Sequence, residues 1–127
     1  MNILIADDHA ILRSGLRQIL ADATQFQHIG ETGTGIQTLR KLEEGCWDVV
    51  LLDLTLPEMN GLEVLKEIKR RWPDVAVLVL SMHGEDQYAI RALKAGAAGY
   101  LTKGCKAEEL LQALGVVSRG EKYITLS

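Results

Sequence analysis

Val49-Val50-Leu51-Leu52-Asp53-Leu54 is the stretch that decides the fold. It is short and apolar, with Trp47-Asp48 before it and Pro57 after it. Such a run reads as a strand buried on both faces. Asp53 is the odd member. An ionised carboxylate inside a core is costly unless it is paired or binds a metal. It belongs at the strand's exit, where Leu54-Thr55-Leu56-Pro57 turns into a loop. Asp53 is therefore the first candidate for the protein's chemistry.

Working outward, the same pattern recurs. Ile3-Leu4-Ile5-Ala6 is an apolar run ending at Asp7-Asp8, and Val75 to Leu80 is another ending at Ser81. Ala98-Gly99-Tyr100-Leu101 is a shorter one, with Thr102-Lys103 at its exit. Phe26 to Glu31 is a weaker candidate strand. Between these runs the period changes to that of a helix. Leu12, Leu16, Ile19 and Leu20 mark the first helix. Ile36, Leu39 and Leu42, closed by Gly45, mark the second. Asn60-Gly61 opens a third that ends at Pro73, with Leu62, Leu65, Ile68 and Trp72 inward and Glu63, Lys66, Glu67, Lys69 and Arg70 outward. A fourth runs from about Glu85 to Ala95 and stops at Gly96; a fifth carries Leu110, Leu114 and Val117.

Strands alternating with helices predict a doubly wound α/β domain with a parallel sheet covered on both faces. Binding sites in such folds lie at the carboxyl ends of the strands. Asp7, Asp8, Asp53, Ser81 and Lys103 all fall there. Three carboxylates brought together repel one another, and a bound cation relieves that strain. Hard oxygen donors suit magnesium. Lys103 adds a point charge for a phosphoryl oxygen, and Ser81 a hydroxyl donor. A carboxylate can itself be the nucleophile and form an acyl phosphate. Taken singly, Ser81 reads as a turn residue and Lys103 as a solvated lysine; their joint placement carries the argument. One of Asp7 and Asp8 is also expected to cap the first helix. His9, His28 and His83 lack metal-ligand spacing and read as surface or loop residues, with His83 bordering the site.

The 127 residues fit one domain, and the net charge of −3 argues against non-specific nucleic-acid binding. No apolar run approaches the ~20 residues of a membrane span, and the N-terminus is not a signal peptide. Cys46 and Cys105 read as free thiols of a reducing cytosol.

These motifs closely resemble the receiver domain of two-component response regulators. The resemblance is carried by Asp7-Asp8, by Leu51-Leu52-Asp53-Leu54 with Pro57 and Gly61, by Leu80-Ser81, and by Gly99-Tyr100-Leu101-Thr102-Lys103. It implies a CheY-like, flavodoxin-like (βα)5 fold with strand order 2-1-3-4-5. It implies that Asp53 accepts phosphate from the phosphohistidine of a sensor histidine kinase. Asp8, Asp53 and the backbone carbonyl of Thr55 would ligate Mg2+, with Asp7 helping through water. Lys103 and Ser81 would bind the phosphoryl oxygens, Tyr100 and Ser81 would form the switch, and Thr55 and His83 would tune the lifetime of the phosphate. Gly104 stands where many receivers have proline, so the cis-proline of those receivers is not assumed.

The strings Gly99 to Lys103 and Arg119 to Ile124 resemble the NarL/FixJ class of bacterial regulators. That class implies a cytoplasmic transcription regulator with a helix-turn-helix domain after this one. DNA would be bound by that domain, and homodimerisation could follow phosphorylation. On this reading residues 1–127 are either a receiver fragment or a stand-alone receiver, the fragment being favoured because Tyr123 to Ser127 look like a run into a linker, and the chain is a phosphoacceptor switch with intrinsic autophosphorylation and autodephosphorylation only. Two rivals stand beside it. A magnesium-dependent phosphatase with an aspartyl nucleophile usually has an acid two residues after the nucleophile, where this chain has Thr55. A degenerate receiver acting as a binding module would have lost part of the acid set.

Overall fold

The computed structural model describes residues 1–23, 25–57, 59–81 and 86–123. Five strands, β1 (Asn2–Ala6), β2 (His28–Thr32), β3 (Val49–Asp53), β4 (Ala76–Ser81) and β5 (Gly99–Thr102), alternate with five helices. The helices are α1 (Ala10–Ala21), α2 (Gly35–Glu44), α3 (Gly61–Arg71), α4 (Asp86–Lys94) and α5 (Ala107–Ser118). All strand pairs are parallel, in the order β2-β1-β3-β4-β5. This is the doubly wound fold expected from the alternation, with its strand order as the resemblance implies.

The apolar runs hide a two-residue alternation, because successive side chains leave a strand on opposite faces. Ile3, Ile5, Val49, Leu51, Leu78, Leu80 and Leu101 pack with α1 and α5 through Leu16, Leu20, Leu110 and Leu114. Leu4, Val50, Leu52, Val77 and Val79 pack instead with α2, α3 and α4 through Leu42, Val64, Leu65, Ile68 and Ala92. All five residues of β3 are buried. Continuing the count past the strand ends puts Asp53 and Lys103 in step with the α1–α5 face. Ser81 and Tyr100 fall in step with the other face, and Tyr100 packs against that second core.

Several local expectations are corrected. β2 begins at His28 and reaches Thr32. It is an edge strand with His28 and Glu31 exposed, so its pattern is polar and weak. On α3 the inward set includes Val64, fully buried, whereas Leu62 and Trp72 are only half-buried. Lys69 is half-buried and does not point simply outward; its Nζ donates to Pro73 O (2.8 Å) and Val75 O (2.7 Å). Glu67 is likewise half-buried. Gly96 stops α4 with φ 108°, a left-handed conformation that favours glycine. Both cysteines are free, and no cis peptide bond occurs among the described residues. Tyr123 forms a parallel bridge to Gly99 at the edge of β5. The expected linker continues into residues outside the described set, as does the expected start of the fourth helix at Glu85.

Candidate phosphoacceptor site

Asp53 ends the central strand, so its neighbours deliver partners from both sides. β1 on one side leads into Asp7 and Asp8. β4 on the other leads to Ser81, and β5 beyond it leads to Lys103. The Lys103 backbone N–H donates to Ser81 O at 2.8 Å, which ties the two exits together.

Asp53 is 1% exposed. Its Oδ1 accepts from Thr55 N (2.9 Å) and from Thr55 Oγ1 (2.8 Å). Its Oδ2 accepts from Lys103 Nζ at 2.8 Å. The same ammonium lies 2.9 Å from Asp7 Oδ2. Burial pulls the Lys103 amine down, but hydrogen bonds and charge from Asp53 and Asp7 outweigh it, and its pKa lies above the ordinary lysine value. Lys103 is thus held as a cation. Three carboxylates against one ammonium leave two negative charges, the amount a divalent cation neutralises.

The loop after Asp53 is fixed by Gly61. A Cβ at that position would lie 2.3 Å from Leu54 Cα and from Leu54 O, so only glycine lets α3 start this close. Asn60 caps the helix, its side chain accepting from Leu62 N at 2.8 Å.

The expected capping of α1 by Asp7 or Asp8 does not occur. The N-cap is His9, and its side chain makes no cap bond. Asp7 Oδ1 accepts from His9 N at 2.8 Å, and Asp7 O accepts from Arg13 Nη1 at 2.6 Å. Asp7 is bent toward the rim by these bonds and is 2% exposed. Its Oδ2 is buried without an aligned hydrogen bond, the 2.9 Å approach of Lys103 being an ion pair.

His9 is the residue that spacing alone misses. Its ring is not a bystander of the surface. Nδ1 lies 3.0 Å from Asp7 Oδ1, 3.3 Å from Asp8 Oδ1 and 3.9 Å from Asp53 Oδ2. Nδ1 is also 3.2 Å from Lys103 Nζ. The signal available in the sequence was its position, directly after an acid pair at a strand exit.

The structure therefore brings Asp7, Asp8, Asp53 and Lys103 to one rim, with Thr55 beside Asp53. Ser81 is 2% exposed at the next strand exit, and Tyr100 is half-buried one strand further along the sheet. His83 lies outside the described residues. The donor set of Asp7, Asp8, His9 and Asp53 converges within 4.8 Å. Oxygen-rich, net negative and carrying a buried carboxylate oxygen without an aligned bond, it fits a hard divalent cation. Thr55 Oγ1 is engaged with the candidate nucleophile, and no acid stands where an aspartyl-nucleophile phosphatase would need one.

Residues 3–115 match the family described as the response regulator receiver domain. The chain belongs to that family. It is 39% identical over 124 residues to the transcriptional regulatory protein DegU of Brevibacillus brevis, covering 98% of this chain and 52% of DegU. A two-component response regulator of the LuxR family from Aurantimonas sp. SI85-9A1 superposes with a TM-score of 0.91 at 31% identity, covering 98% of this chain and 88% of that one. The isolated REC domain of RcsB from Salmonella enterica serovar Typhimurium, solved with phosphomimetic BeF3−, gives 0.91 at 27% identity, covering 98% and 93%. The chain spans little more than half the length of the curated relatives it matches, and the regulators it resembles are of the LuxR/NarL type. No helix among the described residues is long and apolar enough to cross a membrane.

Proposed function

We propose that this chain is the phosphorylation switch of a cytosolic two-component system, with Asp53 as phosphoacceptor. The observation that carries the reading is the buried Asp53 carboxylate, 2.8 Å from a lysine held as a cation and flanked by two further acids. The donor is the phosphohistidine of a sensor histidine kinase. A carboxylate oxygen of Asp53 attacks phosphorus, the imidazole N–P bond breaks with its electron pair returning to the ring, and an acyl phosphate forms.

Lys103 and Ser81 bind the equatorial phosphoryl oxygens. Asp8, Asp53 and the Thr55 carbonyl would hold Mg2+, with Asp7 acting through water. When bound, Mg2+ offsets charge that develops on the transferring oxygens. Thr55 orients Asp53 through its two hydrogen bonds to Oδ1. With His83, it tunes how readily water reaches the acyl phosphate. Movement of Ser81 toward the phosphate lets Tyr100 turn inward, so the β4–β5 edge and the α4 and α5 faces change shape. Such a switch requires only a few kcal/mol between two packings. The chain turns over nothing but its own acyl phosphate.

The output is a helix-turn-helix DNA-binding domain following residue 127, released or dimerised by the switch. DNA contact belongs to that domain. Intact-mass measurement after acetyl phosphate and Mg2+ tests the core of the reading. A labile phosphate on Asp53, lost in Asp53→Asn, is expected. Equal labelling of Asp53→Asn, or steady turnover of a generic phosphate ester, overturns it.

A further inference from the structure

His9 occupies a helix N-cap, where Ser, Thr, Asp or Asn usually satisfies a free backbone N–H. It does not serve there, since no side-chain cap bond is made. The ring instead aims Nδ1 into the acid cluster, although the side chain is 56% exposed at its outer edge. For metal–ligand bonds of about 2.1 Å, adjacent donors of one ion sit about 3 Å apart and opposite donors about 4 Å apart. Nδ1 lies 3.3 Å from Asp8 Oδ1 and 3.9 Å from Asp53 Oδ2, oxygens of the two carboxylates that would hold the ion, and these separations match that pattern, while its 3.0 Å contact with Asp7 Oδ1 is a hydrogen bond that fixes the ring beside them.

The geometry points to His9 as a further ligand of the divalent cation, one that makes the site discriminate between ions. This rests on the phosphoacceptor reading of the site. Magnesium favours oxygen donors and water, whereas imidazole suits cobalt, nickel and zinc. An Asp-only rim suits magnesium; replacing one oxygen donor by a nitrogen shifts the preference toward the nitrogen-accepting ions. In the structure Nδ1 is 3.2 Å from the Lys103 ammonium, so an entering cation takes over a contact that the lysine now makes.

Pulsed electron paramagnetic resonance of Mn2+ bound to the native chain tests this directly. Nitrogen modulation from a coordinated imidazole is expected, and its absence in His9→Ala. Calorimetric titrations with Co2+ and Mg2+ supply the second readout. His9→Ala should weaken Co2+ at least about tenfold more than it weakens Mg2+. Equal weakening of both ions, or a native chain without nitrogen modulation, overturns the inference. Acetyl phosphate labelling of the native chain separates the two readings. A chain labelled on Asp53 with Mg2+ but lacking nitrogen modulation loses this inference alone. A chain that is not labelled loses the phosphoacceptor reading as well.

Discussion

Two partly buried lysines stand at opposite rims of the sheet, and they are held in opposite ways. Lys103, at the carboxyl ends of the strands, meets Asp53 and Asp7 at 2.8 and 2.9 Å. Lys69, near the amino end of β4, meets two backbone carbonyls, Pro73 O and Val75 O. Burial lowers both amines. At Lys69 nothing but the charge of Asp74 opposes it, and the pKa falls below the usual lysine value. At Lys103 two carboxylates more than reverse it. Carbonyl dipoles satisfy an ammonium's donors without compensating its desolvation; full negative charges do both. One rim is therefore loaded with charge that a ligand can rearrange. The other serves to seat α3 against the start of β4.

The comparison can be broken first at glycines. Gly61→Ala, at the carboxyl rim, drives a methyl into the Leu54 backbone. A loss of about 3–4 kcal/mol in urea unfolding is expected. Gly96→Ala, at the amino rim, meets side-chain carbons of Lys69 (Cγ at 2.9 Å) and no backbone, and it strains a left-handed φ. Its cost should be nearer 1–2 kcal/mol. Equal losses would mean that the loop after Asp53 yields more readily than its contacts indicate.

The lysines themselves sharpen the contrast. Lys103→Met leaves buried carboxylates facing one another and should cost about 3 kcal/mol at neutral pH, partly restored by millimolar Mg2+. Lys69→Met strands two carbonyls and removes a desolvated charge, so its net cost should be about 1 kcal/mol or less. Their pH signs differ. The Lys103 pKa is raised on folding, so its contribution is fully present below the unfolded value of 10.5 and fades as pH rises through the folded value. The Lys69 pKa is lowered, so its penalty is fully present at low pH and eases as pH climbs from the folded value toward 10.5. Chemical denaturation of each variant against the native chain, at neutral and alkaline pH, should show gaps moving in opposite directions.

The smallest effect concerns helix starts at the carboxyl rim. Thr34 caps α2, its side chain accepting from Gln37 N at 3.1 Å, and Thr34→Ala should cost about 1 kcal/mol. His9→Ser should do the reverse. It offers α1 the missing cap and should raise stability by about 0.5–1 kcal/mol. A neutral or negative result there would mean that the imidazole contributes more through the acid cluster than it forgoes as a cap.

The central strands were legible because burial on both faces leaves an uninterrupted apolar run, as in Val49 to Leu52. A polar residue closing such a run is conspicuous, which is why Asp53, Ser81 and the acid pair stood out. The edge strand starts two residues later and ends one residue later than expected, because exposure of His28 and Glu31 breaks the run. Lys69 was misread because a long side chain can lie along apolar surface and still present its amine to carbonyls. The expectation that one of Asp7 and Asp8 also caps α1 fails because sequence position does not reveal that Asp7 turns back to bond the His9 backbone. His9 escaped for a related reason. Its partners include Asp53 and Lys103, 44 and 94 residues away, and helical ligand spacing carries no trace of them.

The interleaved strand order decides when the acidic rim can exist. Asp7, Asp53 and Lys103 come from the start, middle and far part of the chain, and become neighbours only after β1, β3, β4 and β5 have all been laid side by side. Pairing over such sequence distances is the slow part of folding. A chain still emerging from the ribosome, stopped between residues 53 and 103, has Asp53 but lacks the lysine that meets it. Assembly of the acidic rim thus waits on synthesis past β5, a condition set by topology.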